Sequence, residues 1–103
     1  MMGFKAEFEE HQLRTGHHPR VAKFRCGIVQ IFIDYLYWET GVDTVEAITR
    51  GMANSKFWSY WKRKVIGATT TRGDVREALL WFLVFLRDVK GIENPKAIAG
   101  LSA

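Results

Sequence analysis

The chain has one cysteine among 103 residues, Cys26, so no disulfide can form within it. That excludes a cross-linked secreted scaffold and points to a reducing, cytoplasmic setting, with Cys26 read as a buried apolar residue rather than a reactive thiol. Prolines are as scarce, at Pro19 and Pro95 alone, each where a helix can begin or a domain end. No stretch approaches the ~20 apolar residues that span a bilayer; the longest candidate, Ala78 to Leu86, is far shorter. Glu7, Glu9 and Glu10 follow Lys5 near the start, the wrong charge for a secretory signal. No apolar–polar alternation lasts long enough to argue for a sheet, and there is no internal repeat or low-complexity tract.

Catalytic signatures are missing as well. No phosphate-binding loop, dinucleotide fingerprint or nucleophile elbow appears. His11, His17 and His18 lack a cysteine or carboxylate at zinc-ligand spacing, which argues against a metal. Glu9-Glu10 has no companion constellation for acid–base work and reads as a solvated helix face. The expectation is a protein without cofactor, metal or membrane partner, and not an enzyme.

What is present is apolar and aromatic. Hydrophobic residues make up 48% of the chain and 14% is aromatic, too much for a disordered tail and enough for one domain with one core. The net charge of +4 is unevenly spread. Residues 1–40 hold five basic and five acidic side chains; residues 41–70 hold Arg50, Lys56, Lys62, Arg63 and Lys64 against Asp43 and Glu46. A basic zone in a nearly neutral chain fits a polyanion-facing surface, and equally an ordinary solvated face.

Apolar periodicity predicts helices throughout. Phe4, Phe8 and Leu13 suggest a short first helix, stopped at Thr15-Gly16 with Gly16 as its C-terminal cap. A second helix starts near Pro19, with apolar positions 21, 24, 28, 31, 32, 35 and 36 continuing to Trp38, and Arg20, Lys23 and Arg25 opposite. Thr40 to Asp43 is a turn. A third helix runs from Thr49, a suitable N-cap, to about Lys64, with Met52, Phe57, Tyr60 and Trp61 inward. Residues 65–68 connect it to a fourth, capped by one of Thr69–Thr71, whose buried stripe is Val75, Ala78, Leu79, Phe82, Leu83 and Leu86. Four antiparallel helices with short connections follow, and a weak fifth element after Asn94.

The order of these signals resembles the N-terminal core-binding domain of tyrosine recombinases, the phage-integrase type, over about Phe4 to Pro95. Phe32-Ile33-Asp34-Tyr35-Leu36 is similar to the family's second-helix motif, and Val45-Glu46-Ala47-Ile48-Thr49 to its entry into the third. Thr69-Thr70-Thr71-Arg72, followed by Ala78 to Leu86, is similar to its fourth helix. Ile92-Glu93-Asn94-Pro95 is similar to the segment that ends the domain before a linker. The chain departs from the pattern at Arg76, where an aliphatic residue is usual.

The resemblance implies an all-α fold: a four-helix, SAM-like orthogonal bundle in a single domain spanning 1–103. It implies a prokaryotic, phage or mobile-element setting and one arm of a clamp on double-stranded DNA, shared with other recombinase protomers. Its activity would be grip and positioning in site-specific recombination. Strand cleavage would belong to a catalytic domain absent from this chain, of which eight residues follow Pro95, so Tyr35, Tyr37 and Tyr60 inherit no nucleophile's role. Carried onto this sequence, the contacts on the second helix are His18, Arg20, Lys23 and Phe24. On the fourth they are Thr70, Thr71, Arg72 and Arg76.

Each of these residues also has a plainer reading. The arginines suit a solvated surface, and Thr70 and Thr71 suit N-capping, which can coexist with a phosphate contact. Arg72 or Arg76 could also pair with a guanine edge. Lys62, Arg63 and Lys64 suit either phosphate contact or the negative end of a helix dipole. Trp58, Trp61 and Trp81 could stack bases, but at helical spacing aromatics belong to a core. The alternative to DNA binding is a small helical module that docks on a recombinase or other protein, favoured if tryptophans form an exposed apolar patch.

Overall fold

The computed structural model of the chain describes residues 2–65 and 69–102. Among them it is helical throughout, with no strand. Helix α1 spans Met2–Arg14 and α2 Pro19–Tyr35, which runs on through a π-helical turn at Leu36–Thr40. A 3-10 turn at Val45–Ala47 leads to a second π-helical stretch, Met52–Lys56, continuous with α3 at Phe57–Lys64. Helix α4 is the longest, Arg72–Lys90, and α5 spans Pro95–Ser102. The connection expected over Ile66, Gly67 and Ala68 lies outside the described residues.

Local chemistry sets these boundaries. The Gly16 amide donates to Leu13 O (3.3 Å) and that of His17 to Gln12 O (3.0 Å), a Schellman stop with Gly16 at φ 93°. Pro19 opens α2 as its first helical residue, behind His18 as N-cap. Thr49 Oγ1 accepts from the Met52 amide (3.2 Å), capping the third helical segment where the sequence placed its start. Thr71 caps α4 in a reciprocal box: its hydroxyl accepts from the Asp74 amide and its own amide donates to the Asp74 carboxylate, both at 3.1 Å.

The core forms where α4 meets α2 and α5. All six inward residues expected of α4 are buried, and Phe85 joins them. Phe8 of α1 sits against Phe82 (5.4 Å between ring centroids) and Phe85 (5.6 Å). A second aromatic group links Phe32 and Tyr35 of α2 to Phe57, Tyr60 and Trp61 of α3. Two ion pairs, Lys90–Glu7 (2.9 Å) and Arg25–Glu77 (3.0 Å), tie α4 to α1 and α2.

Three expectations are corrected. In α1 the third inward position is Gln12, 1% exposed, and Leu13 is 44% exposed, because residue 12 falls directly below Phe8 at i+4. In α2 the buried stripe is Ala22, Cys26, Val29, Ile33 and Leu36 with Ile28, Phe32 and Tyr35, leaving Val21, Phe24 and Trp38 exposed. The inward side carries small residues at 22 and 26 because α1 packs closely there: Cys26 Sγ lies 3.8 Å from both the Lys5 carbonyl and the Gln12 amide nitrogen. Finally, the chain does not leave the fold at Asn94-Pro95. The weak fifth element expected after Asn94 is helix α5, so among the described residues there are five α-helices rather than four, with Ala97, Gly100 and Leu101 buried. The Cα radius of gyration, 12.7 Å, is that of one domain of this length, about 13 Å.

Asn94 explains how α5 is held. Its side-chain amide donates to Val45 O (2.8 Å) and Ile48 O (2.7 Å), and its Oδ1 accepts from the Ala97 amide as the helix cap. Farther along, Asn54 Nδ2 donates to Gly100 O (3.0 Å). A Cβ at Gly100 would lie 2.5 Å from Arg50 Cγ, so the absence of a side chain there lets α5 approach the third helical segment.

Candidate nucleic-acid interface

The start of α2 is organised from the cap outward. His18 Nδ1 accepts the Arg20 amide (3.1 Å), satisfying a backbone donor that the first helical turn leaves free. From there the 3.6-residue period puts Arg20, Lys23, Phe24, Gly27 and Ile31 along one side of the helix, away from the buried stripe. Opposite them stands Trp61 of α3. Together these residues and Ile28 line an open depression of about 450 Å³ whose surface is mainly apolar. Phe24 is 46% exposed at its edge.

Gly27 lies within this depression, in the middle of a helix, where glycine is unfavourable. Packing does not require it: a Cβ at Gly27 would meet no atom within 4 Å. Gly27→Ala is therefore expected to raise stability by about 0.5–1 kcal/mol in thermal or denaturant unfolding. A hidden close contact would give a loss instead.

The cations at the end of α3 follow Trp61 in sequence but do not line this depression; Arg63 lines a separate one with Tyr35, Glu39 and Ser59. Lys62, Arg63 and Lys64 are all exposed. Lys62 Nζ lies 5.9 Å from the Trp58 ring, and Lys64 Nζ the same distance from the Tyr60 ring. Arg63 Nε reaches the Ser59 carbonyl at 3.5 Å, consistent with cations at the negative end of a helix. Among the described residues none of Arg20, Lys23, Lys62, Arg63 or Lys64 is ion-paired.

A simple sequence signal anticipates this face. Residues 11–33 and 47–73 contain no aspartate or glutamate, yet they carry ten of the fifteen lysines and arginines. One stretch supplies α2 as far as Ile33 and the other supplies α3, and the fold sets them against each other at Trp61. Gly27 and Ile31 were not expected at a site, and Trp61, weighed for base stacking, was read as core; the isolated mid-helix glycine was the available hint.

The candidates on α4 lie elsewhere. Thr71 is engaged in the capping box, and Thr70 is half-buried just ahead of it. Arg72 Nη2 donates to Asn54 Oδ1 (3.0 Å), near the start of the third helical segment. Arg76 Nη2 donates to Leu101 O (2.9 Å), so Arg76 receives the end of α5. Thus Arg20, Lys23 and Phe24 come together with Trp61, while Arg72 and Arg76 turn toward α3's start and α5.

The tryptophans divide similarly. Trp61 is buried, Trp58 half-buried, and Trp81 is 40% exposed, with the Arg25 guanidinium 5.0 Å and the His17 ring 4.8 Å from its ring. The most exposed aromatics are Tyr37 (63%) and Trp38 (75%), in mutual contact on the π-helical turn. Burial pushes the Cys26 thiol up to about 11, with the Glu9 charge acting in the same direction. At neutral pH it is a protonated thiol and a poor nucleophile. Burial also raises the Tyr35 hydroxyl, Glu39 adding to the effect and Arg63 opposing it.

Among the described residues, no group of three His, Cys, Asp or Glu side chains could hold a metal ion, and no helix is long and apolar enough to cross a membrane. No family model, curated protein or solved structure matches the chain.

Proposed function

We propose that this chain binds DNA through the face formed by the start of α2 and the end of α3. It would grip and position the nucleic acid for site-specific recombination without cleaving it. The observation that carries the reading is the meeting of the two carboxylate-free stretches at the Trp61 depression, which Arg20 and Lys23 line, with Lys62, Arg63 and Lys64 next along α3; all five are exposed and, among the described residues, none is ion-paired. Such cations neutralise phosphates and release condensed counterions, so binding would be strongest at low salt. In this reading the first four helices are the SAM-like bundle of a recombinase core-binding domain, and α5 is an addition to it.

Titration of a fluorescent 20-base-pair duplex tests the reading. With four or five phosphates neutralised, affinity is expected to fall roughly 10²-fold between 50 and 200 mM salt. No binding at the lower salt, or binding indifferent to salt, would overturn it.

A second reading has one observation in its favour. The exposed Tyr37–Trp38 pair is the kind of aromatic surface that protein partners cover. It prevails if duplex DNA shifts no amide resonance on α2 or α3 while a partner protein shifts those around Trp38.

A further inference from the structure

We infer that the depression between α2 and α3 takes an unstacked nucleobase, so that the preferred ligand is DNA with a single-stranded or locally melted segment rather than regular duplex. The inference rests on the DNA-binding reading above and concerns what lies between the cations.

A regular duplex presents phosphates, sugars and groove edges, while its base faces are stacked out of reach. The depression offers the opposite complement. Its lining is mainly apolar, with Phe24, Ile31 and part of Trp61 around Gly27, and it includes no carboxylate. A phosphate would not replace its hydration on such a surface, but the flat face of a base would. Base–aromatic stacking is tolerant of sequence, because every base has a π-face. Arg20 and Lys23, both exposed and both lining the depression, are then available to the phosphates flanking that base.

Gly27 is the independent observation. A mid-helix glycine with no atom within 4 Å of its missing Cβ has no role in packing. Its effect is to keep the depression clear. The shape also argues against an amphipathic helix as the occupant. Helix-in-groove recognition uses a row of anchors at i, i+3, i+4 and i+7, whereas this is one open depression beside a single exposed ring.

The test compares a regular duplex with the same duplex carrying a three-nucleotide bulge, both at 50 mM salt. The wild-type chain is expected to bind the bulged DNA about tenfold more tightly. Phe24→Leu removes the stacking ring and Gly27→Leu fills the depression; each is expected to bring the ratio of the two affinities to about one. Lys23→Ala is expected to weaken binding to both DNAs. Far-UV circular dichroism verifies the fold, and Phe24→Leu decides if Gly27→Leu does not fold. Equal affinities for the two DNAs, or a preference untouched by Phe24→Leu, would overturn the inference and leave the DNA-binding reading standing. No binding to either DNA would overturn both. So would capture of an acidic amphipathic peptide, blocked by Gly27→Leu, in place of either DNA.

Discussion

Asn94→Ala is expected to cost about 3–5 kcal/mol of stability and to lower the melting temperature by roughly 15–25 °C. Three buried backbone groups depend on this one side chain: the carbonyls of Val45 and Ile48, and the Ala97 amide. Alanine leaves each without its partner where water has little access, at about 1–3 kcal/mol per unsatisfied group. Asn94→Asp separates the roles. Aspartate keeps an oxygen for Ala97 but turns a carboxylate toward two carbonyls, so its folded-state pKa is raised above the unfolded value of about 3.9. Its stabilising contribution is then present below about pH 3.9 and lost as pH rises through the raised folded pKa. Urea unfolding should therefore show the Asp variant nearest to wild type near pH 3 and farthest from it near pH 7. A loss under 1 kcal/mol for Asn94→Ala would mean that these bonds are replaced by water.

Removing Arg20, Lys23, Lys62 and Lys64 together is the second large effect. All four are exposed and, among the described residues, none is ion-paired, so the quadruple alanine variant is expected to keep its fold. With about 0.9 counterion released per phosphate contact, the slope of log affinity against log salt should flatten by about 3.6, and affinity at 50 mM salt should fall roughly 10²–10³-fold. Arg87→Ala with Lys96→Ala is the control, since it lowers the net charge on α4 and α5 at residues that do not line the depression. A slope that changes as much in the control would mean that overall charge, not this face, attracts the DNA.

The parts of the fold that were legible in the sequence are those governed by short-range periodicity. The α4 stripe from Val75 to Leu86 repeats large apolar residues at helical spacing with no rival pattern, so its inward face is unambiguous. In α2 two stripes compete, and the one with the larger residues at 21 and 24 is not the buried one. Close packing by α1 selects the small Ala22 and Cys26. Capping was legible at Gly16 and Thr49, and to within the three residues Thr69–Thr71, because each cap acts over three to five residues.

The site was legible only in part. Arg20, Lys23 and Lys62–Lys64 stand out as cations, but their adjacency depends on Trp61 reaching α2, about forty residues away in sequence. Asn94 and Arg76 were misjudged for the same reason. Asn94 looked like the end of a domain because its partners lie 46 and 49 residues back, and Arg76 looked solvent-facing because its acceptor is Leu101, on a helix only weakly signalled. Local propensity also carries no sign of the π-helical geometry at Leu36–Thr40 and Met52–Lys56.

The Asn94 contacts have a consequence for motion as well as for stability. One side chain closes loops of nearly fifty residues, and Asn54 makes a second link of 46 residues to Gly100. Helix α5 is thus attached at its first residues to the 3-10 turn and near its end to the π-helical stretch that leads into α3. Opening it breaks both attachments, so the amides of α5 and those around residues 45–54 belong to one cooperative unit for hydrogen exchange. The end of α3, with its three consecutive cations, is built on that unit. Its position is coupled to whether α5 is docked.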